Sequence, residues 1–140
     1  MRVVIDTNIL LPSLSPRSKS HWLFADLLSE RFTLCVTTDI LNEYSEIFEQ
    51  KLGAQARDAV MDLLETLPNL LLVDKFYFWQ AIEQDPDDNK FVDCAISAQA
   101  KYLVTDDKHF NPLKRKPLFE VNIVTLKEFE QLFHPSDSKA

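Results

Sequence analysis

The sequence predicts an α/β fold, a three-layer sandwich with a central parallel β-sheet flanked by helices. Short apolar runs that end in polar residues alternate with longer stretches of helical spacing, and aspartates close two of those runs. A chain of 140 residues with 46% hydrophobic content can bury one core and has no room for a second. Residues 1–134 therefore read as a single domain, followed by a polar tail at 135–140.

Residues 2–6 read as a buried first strand, through Val3-Val4-Ile5 to Asp6. A helix is expected over 18–30, burying Phe24, Leu27 and Leu28, and then a second strand over 32–37, rich in β-branched residues. Thr38 or Asp39 can cap the next helix, whose apolar stripe is Ile40, Tyr44, Ile47 and Phe48. Gly53 ends it, and a further helix over 54–67 turns Ala56, Val60, Leu63 and Leu64 inward. Pro68-Asn69 marks a turn into a short strand at 70–73. An aromatic helical segment follows at 76–83. Asp85-Pro86 then opens a helix through 99, since Asp is a favoured cap and Pro is tolerated at the first helical position. Strands are expected at 102–105 and 121–124. A closing helix through 133 begins at Thr125 or Leu126, and from His134 onward the chain reads as a frayed polar end.

Gly occurs once and Pro seven times, and no tract is dominated by one residue type, which argues against disorder and low complexity. Asp6 interrupts the first apolar run well short of signal-peptide length, and no membrane-length apolar run occurs. A cytoplasmic protein with no membrane partner is the expectation. Cys35 and Cys94 sit in apolar stretches without a CxxC or a neighbouring His, so they read as reduced core residues. A net charge of −7 argues against a protein that coats nucleic acid non-specifically, because that mode needs excess Lys and Arg. It does not exclude a nuclease whose clustered carboxylates are neutralised by divalent ions.

In parallel α/β sheets the ligand site lies beyond the carboxyl ends of the strands. Asp6 falls at such a point, and so do Asp106 and Asp107 in Leu-Val-Thr-Asp-Asp. Glu43 lies three residues after Ile40 and four before Ile47, which places a carboxylate on the apolar stripe unless the stripe is centred on Leu41, Tyr44 and Phe48. Asp88 lies one turn upstream on the face defined by Phe91, Val92, Ala95 and Ile96. Asp85 can cap that helix, Asp87 can complement its dipole, and Asp93 is either a satellite acid or solvated. Carboxylates without Cys or His clusters point to Mg²⁺ or Mn²⁺ and away from zinc. His21, His109 and His134 have no ligand spacing and read as surface or packing residues.

Together, Val-Val-Ile-Asp6-Thr-Asn8-Ile-Leu, Glu43 in Leu-Asn-Glu-Tyr, Asp85-Pro-Asp-Asp88-Asn-Lys-Phe with Ala95, and Leu-Val-Thr105-Asp-Asp107 resemble a PIN domain of the toxin-antitoxin type. The resemblance spans nearly the whole chain in the family's order. It implies a parallel sheet flanked by helices and cleavage of single-stranded RNA by a Mg²⁺- or Mn²⁺-activated water. Carried over by residue, Asp6, Glu43, Asp88 and Asp107 would be the catalytic and metal-binding acids, with Asn8 and Thr105 orienting them by hydrogen bonds. Asp87, Asp93 and Asp106 stand as alternates, because two of the acids have an acidic neighbour.

Lys108, Lys114, Arg115 and Lys116, with Lys101, gather around the fourth acid and could hold RNA phosphates or form a solvated loop. Phe76-Tyr77-Phe78-Trp79 could stack bases, or belong to the core or to a homodimer or larger homo-oligomer interface. An antitoxin protein is a further partner that the resemblance implies. Asn8 stands where a phosphoaspartyl phosphatase needs a second acid, which disfavours that chemistry. The other alternative is a catalytically silent module of the same fold that binds RNA or a partner.

Overall fold

The computed structural model describes residues 1–74, 89–115 and 120–135. Five strands form one parallel sheet: β1 (Arg2–Ile5), β2 (Thr33–Val36), β3 (Leu70–Leu72), β4 (Tyr102–Val104) and β5 (Asn122–Val124). Their order is β3-β2-β1-β4-β5, with every neighbouring pair parallel. Helices flank the sheet, as the alternating pattern implies: α1 (Thr7–Ser13), α2 (His21–Leu28), α3 (Thr38–Leu52), α4 (Ala54–Thr66), α5 (Asn89–Ser97) and α6 (Leu126–Phe133). A 3₁₀ segment spans Lys108–Arg115.

The central strand explains why the sheet is parallel. Val3, Val4 and Ile5 are all fully buried, so both faces of β1 are covered, and continuous apolar runs of this kind suit a sheet whose crossovers place helices against it. Register runs from Val3 opposite Tyr102 to Ile5 opposite Val104, and β2 pairs with the other edge of β1. Cys35 and Cys94 are fully buried and unbridged, and burial pushes the Cys35 thiol above its ordinary pKa. Both cysteines are therefore core residues, as their apolar surroundings imply.

Local chemistry sets the helix ends. Thr37, one residue before the expected cap, accepts a hydrogen bond from the Ile40 amide and starts α3. Gly53 separates α3 from α4 at φ +90°, a conformation that side-chain-bearing residues rarely adopt. Thr125 and Glu128 form a capping box that fixes the start of α6. The Asn69 side-chain amide donates to the Leu27 and Phe32 carbonyls and ties the turn before β3 to the α2–β2 connection.

Several expectations are corrected. The apolar pattern gives no sign of α1, which has seven residues with Pro12 inside it, and α2 begins only at His21. Leu23 is buried in α2, whereas Leu28 is 39% exposed. On α4 only Leu64 is buried and Leu63 turns outward, because that helix packs chiefly on α3. His134, just past α6, is tied down. His134 Nε2 lies 2.8 Å from Asp26 Oδ2 and its ring meets Trp22 edge-on at 5.3 Å. The expected aromatic helical segment and the Asp85-Pro86 helix start fall outside the described residues, as do residues 136–140.

Candidate active site

Strand order decides where a ligand can enter. The chain steps outward from β1 through β2 to β3, then returns to the opposite side of β1 for β4 and β5. Loops leaving the carboxyl ends of β1 and β4 therefore diverge, and the crevice between them is the place where open parallel sheets bind ligands. Asp6 directly follows β1, and Thr105, Asp106 and Asp107 directly follow β4. A cleft of about 250 Å³ opens there, lined by Asp6, Asn8, Ile9, Asp106 and Asp107.

Asp6 is only 4% exposed. The Thr105 hydroxyl donates to its Oδ2 at 2.8 Å, and the same hydroxyl oxygen accepts the Asp107 amide at 3.1 Å. Thr105 thus links the acid after β1 to the acid after β4. Burial pushes the Asp6 pKa up, the Thr105 hydroxyl and the Asn8 backbone amide pull it down, and the charges of Glu43 and Asp107 push it up again. Asp6 and Asp107 line the cleft together, and Thr7, next to Asp6, carries the contact to Glu43.

The two acids after β4 are placed differently. Asp106 is exposed, and its Oδ1 accepts the Leu126 amide at the start of α6. Asp107 is half-buried, and its Oδ1 accepts the His109 amide at 2.9 Å with the His109 ring at 3.3 Å. Both line the cleft with Asp6, and the Asp107 charge adds to the upward push on the Asp6 pKa.

Glu43 comes from α3, whose buried stripe is Ile40, Tyr44 and Phe48. This is the stripe position that leaves Glu43 at the edge, partly exposed, rather than pointing into the apolar face. Tyr44 anchors the helix over the end of β1 by donating its hydroxyl to the Ile5 carbonyl. Thr7 donates to Glu43 Oε2, and Lys90 Nζ lies 2.7 Å from Oε1. Neither Thr7 nor Lys90 stands out in the sequence. The one available sign was position, since Thr7 adjoins Asp6 and Lys90 adjoins the inward face that Phe91 and Val92 begin.

Asp87 and Asp88 lie outside the described residues. Asp93 is 1% exposed on α5, so it is not a solvated acid. Among the described residues, no three acids, histidines or cysteines converge closely enough to hold a metal ion by themselves. Of the expected four acids, Asp6 and Asp107 line the cleft together and Glu43 is tied to Thr7 beside Asp6, with no closed ligand set among the described residues.

Lys108 and Lys114 are both exposed on the 3₁₀ segment, and its period of three places them on one face while Phe110 and Leu113 are buried. Lys101 is corrected. It precedes β4 at the amino end of the strand, away from the cleft, with its ammonium 5.6 Å from the Tyr102 ring centre. The Arg115 side chain and Lys116 are outside the described part.

The sequence pattern of the PIN domain matches residues 2–109, more than half of the chain. The chain belongs to the PIN-domain family. This PIN domain is similar in fold to VapBC2 from Rickettsia felis, solved bound to a DNA fragment from their promoter. The TM-score is 0.61 at 16% identity, covering 88% of this chain and 98% of that one. It is also similar to FitAcB from Neisseria gonorrhoeae, at TM-score 0.54 and 15% identity over 89% of this chain and 98% of that one. FitAB bound to an IR36 DNA fragment gives 0.51 at 13% identity, over 89% and 94% of the two chains. No curated protein matches the sequence at a significant level. Among the described residues, no helix is long and apolar enough to cross a membrane.

Proposed function

We propose that this PIN domain is a Mg²⁺- or Mn²⁺-dependent endoribonuclease acting on single-stranded RNA. The observation that carries the reading is the crevice between β1 and β4, where the buried carboxylate of Asp6 is held by Thr105 and shares the cleft with Asp107, with Glu43 tied to the adjacent Thr7. Mutually repelling carboxylates, one of them desolvated, are a costly arrangement unless a cation shares the space. Their donor chemistry fits a hard divalent ion, because all three offer oxygen and neither cysteine lies among them.

Asp6, Glu43 and Asp107 would hold the ion, with Asp88 completing the set. When bound, the ion supplies the charge that acidifies a water and neutralises developing charge on a phosphodiester. Thr105 and Asn8 orient the carboxylates. The exposed ammonium groups of Lys108 and Lys114, just beyond Asp107, offer phosphate contacts that position a strand without reading its sequence.

The decisive experiment incubates the purified chain with labelled single-stranded RNA in Mn²⁺ or Mg²⁺. Cleavage that chelator stops and Zn²⁺ is not needed to restore is the expected result. RNA binding without metal-dependent cleavage would instead identify a silent binding module. Whether the chain acts as a toxin restrained by an antitoxin is tested by co-purification with the product of an adjacent small reading frame.

Residue by residue, Asp107→Asn and Asp88→Asn should each lose at least about a hundredfold in cleavage rate, and Asp106→Asn and Asp87→Asn much less. Asp106→Asn should show itself mainly in the melting temperature, since its partner is the start of α6. The opposite ordering in initial rates within either pair would move that part of the site by one residue.

A further inference from the structure

Glu43, beside the cleft, differs from the acids that line it in how its charge is met. Lys90 Nζ lies 2.7 Å from Oε1 and the Thr7 hydroxyl donates to Oε2, so each oxygen has a donor. The two charged side chains are largely shielded, at 24% exposed for Glu43 and 20% for Lys90, and Thr7 is 2% exposed. A charge-assisted hydrogen bond in such a setting is short and strong, and it outlasts the screening that weakens pairs in open water.

The two partners of Glu43 are unequal in freedom. Thr7 is packed within α1 beside Asp6 and its hydroxyl is fixed by burial. Lys90 is a compact charge on a flexible four-carbon stem, with part of its side chain already in solvent. A divalent ion taking Oε1 as a ligand would meet the ammonium at the same oxygen, and two cations repel at that range. The lysine is the partner able to move away.

Building on the metal-site reading above, we propose that Lys90 is a tethered counter-cation for Glu43. It is a positioning residue that holds the carboxylate against Thr7, beside Asp6, and gives up Oε1 when a divalent ion binds. Loading is then an exchange of one cation for another, and the empty site is spared part of the repulsion among its acids. The affinity for metal is correspondingly lower than the same carboxylates would have without the lysine.

The test is Mn²⁺ titration, followed by the loss of the free-ion paramagnetic signal, on the full chain and on Lys90→Met, Lys90→Gln and Lys90→Arg. Lys90→Met should bind Mn²⁺ roughly tenfold more tightly, as removal of one shielded competing charge implies, and should melt lower without metal. Lys90→Arg should bind close to the parent, because it restores the charge. If the Met variant does not fold, the Gln variant removes the charge while keeping a donor, and it too should bind more tightly. Equal or weaker Mn²⁺ affinity in the folded neutral variants overturns the role of Lys90 and leaves the metal site standing. Absence of Mn²⁺ binding in all four chains overturns the metal site and this inference with it.

Discussion

Asp6→Asn is expected to lose at least about a thousandfold in RNA cleavage rate, roughly 4 kcal/mol of transition-state stabilisation, while leaving the metal-free chain at least as stable as the parent. The two effects share one cause. Asp6 is buried at 4% exposure, and its charge is opposed by burial and by Glu43 and Asp107. Asparagine keeps an oxygen that can accept the Thr105 hydroxyl bond but carries no charge to bury or to lend to a metal.

Because the folded pKa of Asp6 is raised above 3.8, the folded chain keeps this proton at pH values where the unfolded chain has released it. Stability from this group therefore falls as pH rises from about 3.8 through the raised folded value, and above that value the whole penalty is present. Below 3.8 the penalty is absent. The variant has no such titration. Thermal melts in chelator across this range should show parent and variant converging at the acid end and the variant melting equal or higher at neutral pH. Adding Mn²⁺ should raise the parent's melting point more than the variant's. A variant that melts well below the parent at neutral pH in chelator would mean that Asp6 serves the fold as a charged hydrogen-bonder, and not as one of several acids crowded around a cation site.

The largest stability effect should come from far outside the cleft. Phe129→Ala is expected to cost about 3–5 kcal/mol, because a fully buried ring is lost together with the space it filled. Phe129 is the hub of an aromatic cluster, with ring centres 6.2 Å from Trp22, 5.7 Å from Phe32, 5.9 Å from Tyr102 and 4.7 Å from Phe133. These partners come from α2, the residue before β2, β4 and α6 itself, so one substitution loosens the attachment of several elements. Edge-to-face pairs add to the plain burial of area. For a domain of this size the melting temperature should fall by about 10–20 °C. A scanning calorimetry trace within a few degrees of the parent would show that the neighbouring rings close over the gap at little cost.

What the sequence made legible follows the strength of its physical signals. β1, β2 and β4 are unbroken apolar runs buried on both faces, and α3 and α6 carry full turns of apolar spacing with Thr caps, so their places could be read to within a residue or two. α1 could not, since seven residues with Pro12 among them show too few turns to reveal a period. The 3₁₀ segment was equally hidden, because its spacing of three does not match the helical template.

At the site, position along the chain singled out Asp6 and the pair Asp106-Asp107, for ligand sites lie beyond the strand ends of parallel sheets, whereas Thr105 and the choice of Asp107 rested on the family resemblance. The ion pair of Glu43 with Lys90 was not accessible. It joins α3 to α5 across 47 residues, and nothing local in either helix names the other.

The bond between Thr105 and Asp6 spans 99 residues, and β4 is the second neighbour without which one side of β1 lies open. Chains are synthesised from the amino end, and a domain generally folds as a unit. A nascent chain that has made β1, β2 and α3 carries Asp6 and Glu43 without the second wall of the crevice, and Thr105 follows Asp6 by 99 residues. Anything that needs both walls is thereby withheld until β4 has been made. A chain broken off before β4 carries Asp6 and Glu43 without the wall that Thr105 and Asp107 supply.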